Sequence, residues 1–223
     1  MKKLIAFLLA FIGVTGSAQR AAKPQNIDPK ALLFSVPTLS DDIPALEPMD
    51  RAPKGTDLAF HEDDWSQVEF LPKTLLPEIQ KMMKEYKAFE QTNRVQNVWR
   101  NVYVRKIQRK PLVSGSAPVQ QLEKILGVKA GRTLILYSSS TVGGSVKDGF
   151  TLPLGGNVTL YGYTTHEGIP VLGASVGPNP EDIKLSQAFI KLNSTSGMML
   201  VDWRAQMLLV STNRSGKIDI WRP

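Results

Sequence analysis

Residues 61–65 read HEDDW, setting His61, one of only two histidines in the chain, beside three consecutive carboxylates and a tryptophan. Histidine with carboxylates is a ligand set for zinc, and a carboxylate near a histidine can orient or share a proton in acid/base chemistry. Each of these needs side chains that converge on one point. Read as the lead into an extended strand, positions 61, 63 and 65 share one face, so His61 keeps Asp63 as its single carboxylate neighbour. Zinc would then need a distant ligand such as His166, and a calcium loop would need a central glycine that the segment lacks. The expectation is therefore no metal and no cofactor, with His61, Asp63 and His166 kept as catalytic candidates.

Residues 173–177 (GASVG) match G-x-S-x-G, the nucleophile elbow, and make Ser175 a further candidate. The elbow needs a sharp turn from strand to helix, but Pro178, Asn179 and Pro180 follow, and both histidines precede the serine, whereas the base follows it in that hydrolase fold. A glycine-flanked turn is the expected role. Residues 138–149 (SSSTVGGSVKDG) have the composition of a phosphate cradle, but Lys147 is followed by Asp148 where a Ser or Thr should open a helix. They read as a polar loop between strands.

Residues 94–110 hold Arg94, Arg100, Arg105, Lys106, Arg109 and Lys110 with Trp99 and Tyr103 interleaved and no acidic residue. Guanidinium groups among aromatics can hold an anionic or stacked ligand, which makes Arg100, Arg105, Lys106, Trp99 and Tyr103 the binding candidates. Strand alternation sets Arg100 and Lys106 on one face and Arg105, Trp99 and Tyr103 on the other. Split charges without an RNP-type motif argue against nucleic acid and leave a protein or an anionic envelope polymer as the expected partner. The acidic counterpart is 57–71, with Asp57, Glu62, Asp63, Asp64 and Glu69 and no basic residue. Opposite charges on neighbouring strands attract, so Asp63 or Asp64 is expected against Arg100 or Arg105.

The elements that must hold these residues begin with an address. Lys2 and Lys3 precede an apolar run over 4–14, and Gly16, Ser17 and Ala18 come before Gln19. An apolar run shorter than the roughly 20 residues that span a bilayer, with small residues at its end, is the layout of a cleaved signal peptide over 1–18. This predicts a secreted or periplasmic chain with no membrane span after cleavage. The chain has no cysteine, so neither disulfides nor thiolate metal sites are available to it. The formal charge of +7 falls to +5 without Lys2 and Lys3, a moderately basic balance.

Residues 19–56 carry a proline every four to eight positions and no sustained period, which predicts an extended segment or strap. A single domain over 57–223 follows. Alternation in 65–71 predicts a strand with Val68 and Phe70 on one face and Gln67 and Glu69 on the other. Leu75, Ile79, Met82, Tyr86 and Phe89 predict a long amphipathic helix near 75–93 with Thr74 as cap, followed by a strand over 98–107 and the option of a βαβ crossover. A short helix at 118–126, capped by Ser116 and stopped by Gly127, precedes a β-rich region in which 180–192 is read as strand. Residues 198–221 form a meander with a hairpin turn at 213–216. The Asp-Trp pair at 64–65 recurs at 202–203, too short an echo to indicate duplication.

The fold class is thus α+β: a mostly antiparallel sheet with one long and one short helix, preceded by an extended Pro-rich segment. The expected function is that of an exported, non-enzymatic binding or accessory protein of a bacterial envelope. The alternative is a secreted or periplasmic hydrolase using His61 or His166 with nearby Asp or Ser, and a third reading has the N-terminal segment donated to a neighbouring copy as a strand.

Overall fold

The computed structural model describes residues 33–49, 51–138, 141–213 and 215–223. The signal-like segment 1–18, the first part of the Pro-rich stretch (19–32), Asp50, Ser139, Ser140 and Arg214 lie outside the described residues. In chain order the elements are β1 (Thr38–Ser40), β2 (Leu46–Glu47), β3 (Leu58–His61), β4 (Val68–Pro72), α1 (Leu76–Asn93), β5 (Arg94–Val95), β6 (Val98–Trp99), β7 (Tyr103–Arg105) and α2 (Pro118–Leu126). They continue with β8 (Leu134–Ser138), β9 (Thr141–Val146), β10 (Gly149–Gly155), β11 (Val158–Thr165), β12 (Gly168–Val176), α3 (Asp182–Ser196), β13 (Met198–Asp202), β14 (Met207–Thr212) and β15 (Ile218–Trp221).

The chain is α+β. Its centre is a seven-stranded antiparallel sheet ordered β10-β11-β12-β4-β13-β14-β15. Because side chains alternate along a strand, β4 serves two cores at once. Phe70 joins Leu160, Leu172 and Leu200 under α2 and α3, while Leu71 joins Met199, Val201 and Leu208 under Ile79, Met83 and Tyr86 of α1. The face that α1 covers is completed at β11 and β12 by a four-stranded sheet, β2-β9-β8-β3, through Trp65, Leu134, Leu136, Tyr161 and Val171. Residues 38–47 contribute to two sheets, β1 lying parallel to β7 and β2 antiparallel to β9.

Several elements depart from the sequence reading. Residues 180–192 are not a strand: α3 runs through them with Ala188, Phe189 and Leu192 buried at helical spacing, and Gly197 at φ 63° ends it. The 138–149 stretch is not an open loop, since β9 occupies half of it and pairs with both β8 and β2. Its glycines permit that close passage, for a Cβ on Gly143 would stand 1.6 Å from the Leu136 carbonyl oxygen. The strand foreseen at 98–107 breaks into β6 and β7 with different partners, and β7 joins β1 instead of β4, so no βαβ crossover forms. Neither Thr74 nor Ser116 caps a helix; a 3-10 turn, Lys73–Leu75, leads into α1, and Ala117 precedes α2. Glu69 and Gln67, foreseen on a polar outer face, are 0% and 5% exposed.

Gly143→Ala is expected to cost at least about 1–3 kcal/mol, because the methyl has only backbone to displace. In urea denaturation Gly131→Ala, whose added Cβ meets nothing within 4 Å, should stay within about 0.5 kcal/mol of the parent.

Candidate functional site

His61 ends β3, and Glu62–Asp64 is a 3-10 turn, not the start of a strand. The His61 Nδ1 accepts from the Asp63 amide at 3.2 Å and lies 3.2 Å from the Asp63 carboxylate, so the imidazole caps the turn. Trp65 is fully buried against Tyr161, with ring centroids 5.1 Å apart. Ser66 follows at φ 53°, a left-handed conformation that directs the chain out of the sheet line, and its N–H donates to the Tyr161 hydroxyl at 2.9 Å. Tyr161 reaches that amide by lying across Gly173, where a Cβ would sit 2.4 Å from its Cζ. The first glycine of GASVG is thus required by an aromatic ring.

Between the two cores on the α1 face lies a buried charge cluster. Glu69 bonds Arg109 through one carboxylate oxygen and accepts from Trp203 Nε1 at 2.8 Å through the other. Arg109 also bonds Asp42, which accepts from Ser40. Arg105, 0% exposed, donates to the Thr38 hydroxyl at 3.0 Å and the Ser66 carbonyl at 3.0 Å, with its guanidinium 4.9 Å from the Trp203 ring centroid. Burial pulls the Arg105 pKa down to about 10, which leaves it charged at neutral pH. Burial also opposes the charge on Arg109, but Glu69 and Asp42 outweigh it and hold this guanidinium above its ordinary value.

The foreseen pairing of Asp63 or Asp64 with Arg100 or Arg105 is not the one formed. Asp64 pairs with Arg204 and Asp63 with His61, while from the acidic stretch Glu69 meets the basic one, through Arg109. Of the binding candidates, Arg105 is interior, Tyr103 packs its ring against Tyr86 and Phe89, each at 5.5 Å, and Trp99 is half-buried beneath Arg94. Arg100 and Lys106 are exposed. The five do not form one surface.

A cleft of about 550 Å³ opens on the other side of the 61–65 turn. Phe60, Asp64, Gln67 and Val68 form one wall, Tyr161 and residues 174–176 another, and Asp202, Arg204 and Ala205 the third. Both Asp-Trp pairs therefore flank it, with their tryptophans buried and their aspartates on the lining. Burial raises the Asp202 pKa, and its Oδ1 accepts from the Ala205 amide at 2.8 Å, closing the turn between β13 and β14.

Ser175 lines the cleft as part of β12, with no turn into a helix beside it. His166 sits on the hairpin turn at the opposite end of β12, 90% exposed, and at about 3.3 Å per strand residue it is some 25 Å or more from Ser175.

No protein-family model, curated protein or solved structure matches this chain. The lining residues themselves carry the functional reading. Among the described residues no group of three or more His, Asp or Glu is placed to hold a metal ion, and no helix is long and apolar enough to cross a membrane. Sequence reasoning singled out Asp64 and Ser175 on the cleft wall but missed Phe60, Asp202 and Arg204, for which the repeated Asp-Trp was the available signal.

Removing one partner of a buried ion pair strands the other charge. Arg109→Met is therefore expected to cost about 3–5 kcal/mol in urea denaturation. Adding Glu69→Gln, which keeps an acceptor for Trp203 Nε1, should recover a large part of that loss; simple additivity of the two changes would mean that the pair does not interact.

Proposed function

We propose that the chain is an exported, non-enzymatic binding or accessory protein of a bacterial envelope that takes its partner in the cleft beside the Asp64–Arg204 pair. The observation that carries this reading is the engagement of the cleft's charged, amide and phenol side chains by the fold. The Gln67 amide donates to the Thr38 and Asp63 carbonyls, the Tyr161 hydroxyl is engaged by Ser66 and Asp64, Asp202 holds the Ala205 amide, and Asp64 holds Arg204. Phe60, Val68, Ala174 and Val176 supply an apolar remainder. A concave lining of this kind recognises by shape, apolar burial and a few fixed charges. Export is supported by the basic, apolar and small-residue order of residues 2–18. Exposed Arg100 and Lys106, on a mature chain of formal charge +5, add a general attraction for anionic partners.

The test uses the mature chain beginning at Gln19, immobilised and washed with envelope extract. It is expected to retain a component that a Val176→Glu variant of unchanged circular dichroism retains at least tenfold less. Equal retention by both proteins, or an ester-hydrolysing activity abolished by Ser175→Ala, would overturn the binding reading.

A further inference from the structure

We infer that the cleft takes an extended peptide bearing a basic side chain, added as a strand to an open flank of β12; this deepens the binding reading above and rests on it.

The opening is a gap in the large sheet. Strand β12 pairs with β11 as far as Val158↔Val176, but with β4 only at Leu172↔Phe70 and Gly173↔Glu69. Residues 174–176 therefore run on beside β11 with no partner strand on their other side among the described residues. On the far side of β4 the pairing with β13 continues through Val68↔Asp202, and the Trp203 amide then donates to the Gln67 carbonyl at 3.0 Å. At Ser66 the chain leaves the sheet line, held there by Tyr161. The sheet is thus split where β4 begins.

An antiparallel strand turns its N–H and C=O groups alternately to its two flanks, so three residues paired on one side leave backbone groups directed to the other. Such an edge is a template for strand addition, and native folds usually cover or charge it. Here it is bordered by the side chains of Ala174 and Val176, the latter 43% exposed. The volume of about 550 Å³ is that of a ligand pocket. Charge selects the occupant. The lining carries Asp64 and Asp202 against Arg204, a formal balance of −1 on a mature chain of +5. A lysine or arginine on the added strand meets that balance, and a glutamate opposes it. Ser175, which the sequence offered as a nucleophile, becomes the middle residue of the receiving edge.

The test titrates the isotopically labelled mature chain with the capped pentapeptide Thr-Val-Lys-Val-Thr and follows its backbone amides by NMR. Saturable shifts centred on residues 174–176 and Gln67 are expected, and the same peptide with glutamate in place of lysine should bind at least tenfold more weakly. Two further versions, N-methylated at odd or at even positions, separate backbone pairing from side-chain capture. One version should lose binding while the other keeps it, because alternate residues face the edge. Equal binding by both, equal binding of the glutamate peptide, or shifts confined to other parts of the chain would overturn the proposal. Should every peptide fail while retention of an envelope component still depends on Val176, the peptide class is wrong and the cleft remains a binding site for a ligand of other chemistry.

Discussion

A guanidinium withdrawn from water must find carbonyls, hydroxyls, an aromatic face or a carboxylate, since the uncompensated charge costs several kcal/mol. In this protein two of them, Arg105 and Arg109, are withdrawn together and draw on β1, β4, the 61–65 turn and the turn after β13. Residues from every one of those segments are committed to them. The N-terminal segment is tied to the cluster by Thr38, whose hydroxyl accepts from Arg105, and Asp42, which accepts from Arg109. The polar cluster therefore does for this part of the molecule what the apolar cores do elsewhere: it fixes which segments lie together.

The cleft follows from the same packing. Tyr161 lies across Gly173 and holds the Ser66 amide, so the chain entering β4 bends away while the Ser66 carbonyl is tied to Arg105 and the Glu69 carboxylate to Arg109 and Trp203. Strand β12 is left longer than its neighbour. The aspartates of the two Asp-Trp pairs stand at the opening, and their tryptophans are buried behind it, with Trp203 against Glu69 and Arg105. Support and opening are built from the same few residues.

How much of this was legible in the sequence depended on the distance over which each feature is decided. The helix α1, the meander from Met198 to Trp221 and the stop at Gly127 follow from local periods and turn residues, and the sequence carries them openly. The α3 helix was hidden because Ile183 and Leu185 alternate before Ala188, Phe189 and Leu192 reveal the helical spacing. Strand β9 was hidden by its glycines and serines; Gly143 allows close passage of the neighbouring Leu136, and Gly144 that of Glu47, far along the chain. Glu69 reads locally as a solvent-facing residue of an alternating strand. Its burial is decided by Arg109, forty residues on, and Trp203, still further away. Of the cleft, Asp64 and Ser175 attracted notice through their local motifs, and Asp202 and Arg204 gain meaning only through the fold.

The central claim is that the buried cluster fastens the N-terminal segment to the sheet. Native-state hydrogen exchange on the Arg109→Met variant, compared with the parent, tests it most directly. The account requires amide protection over β1 and β7 to fall toward that of exposed loops while the β10-β11-β12 strands keep theirs, as expected of a local opening that leaves the main core folded. Unchanged protection over β1 and β7, or a uniform loss across all strands, would contradict it.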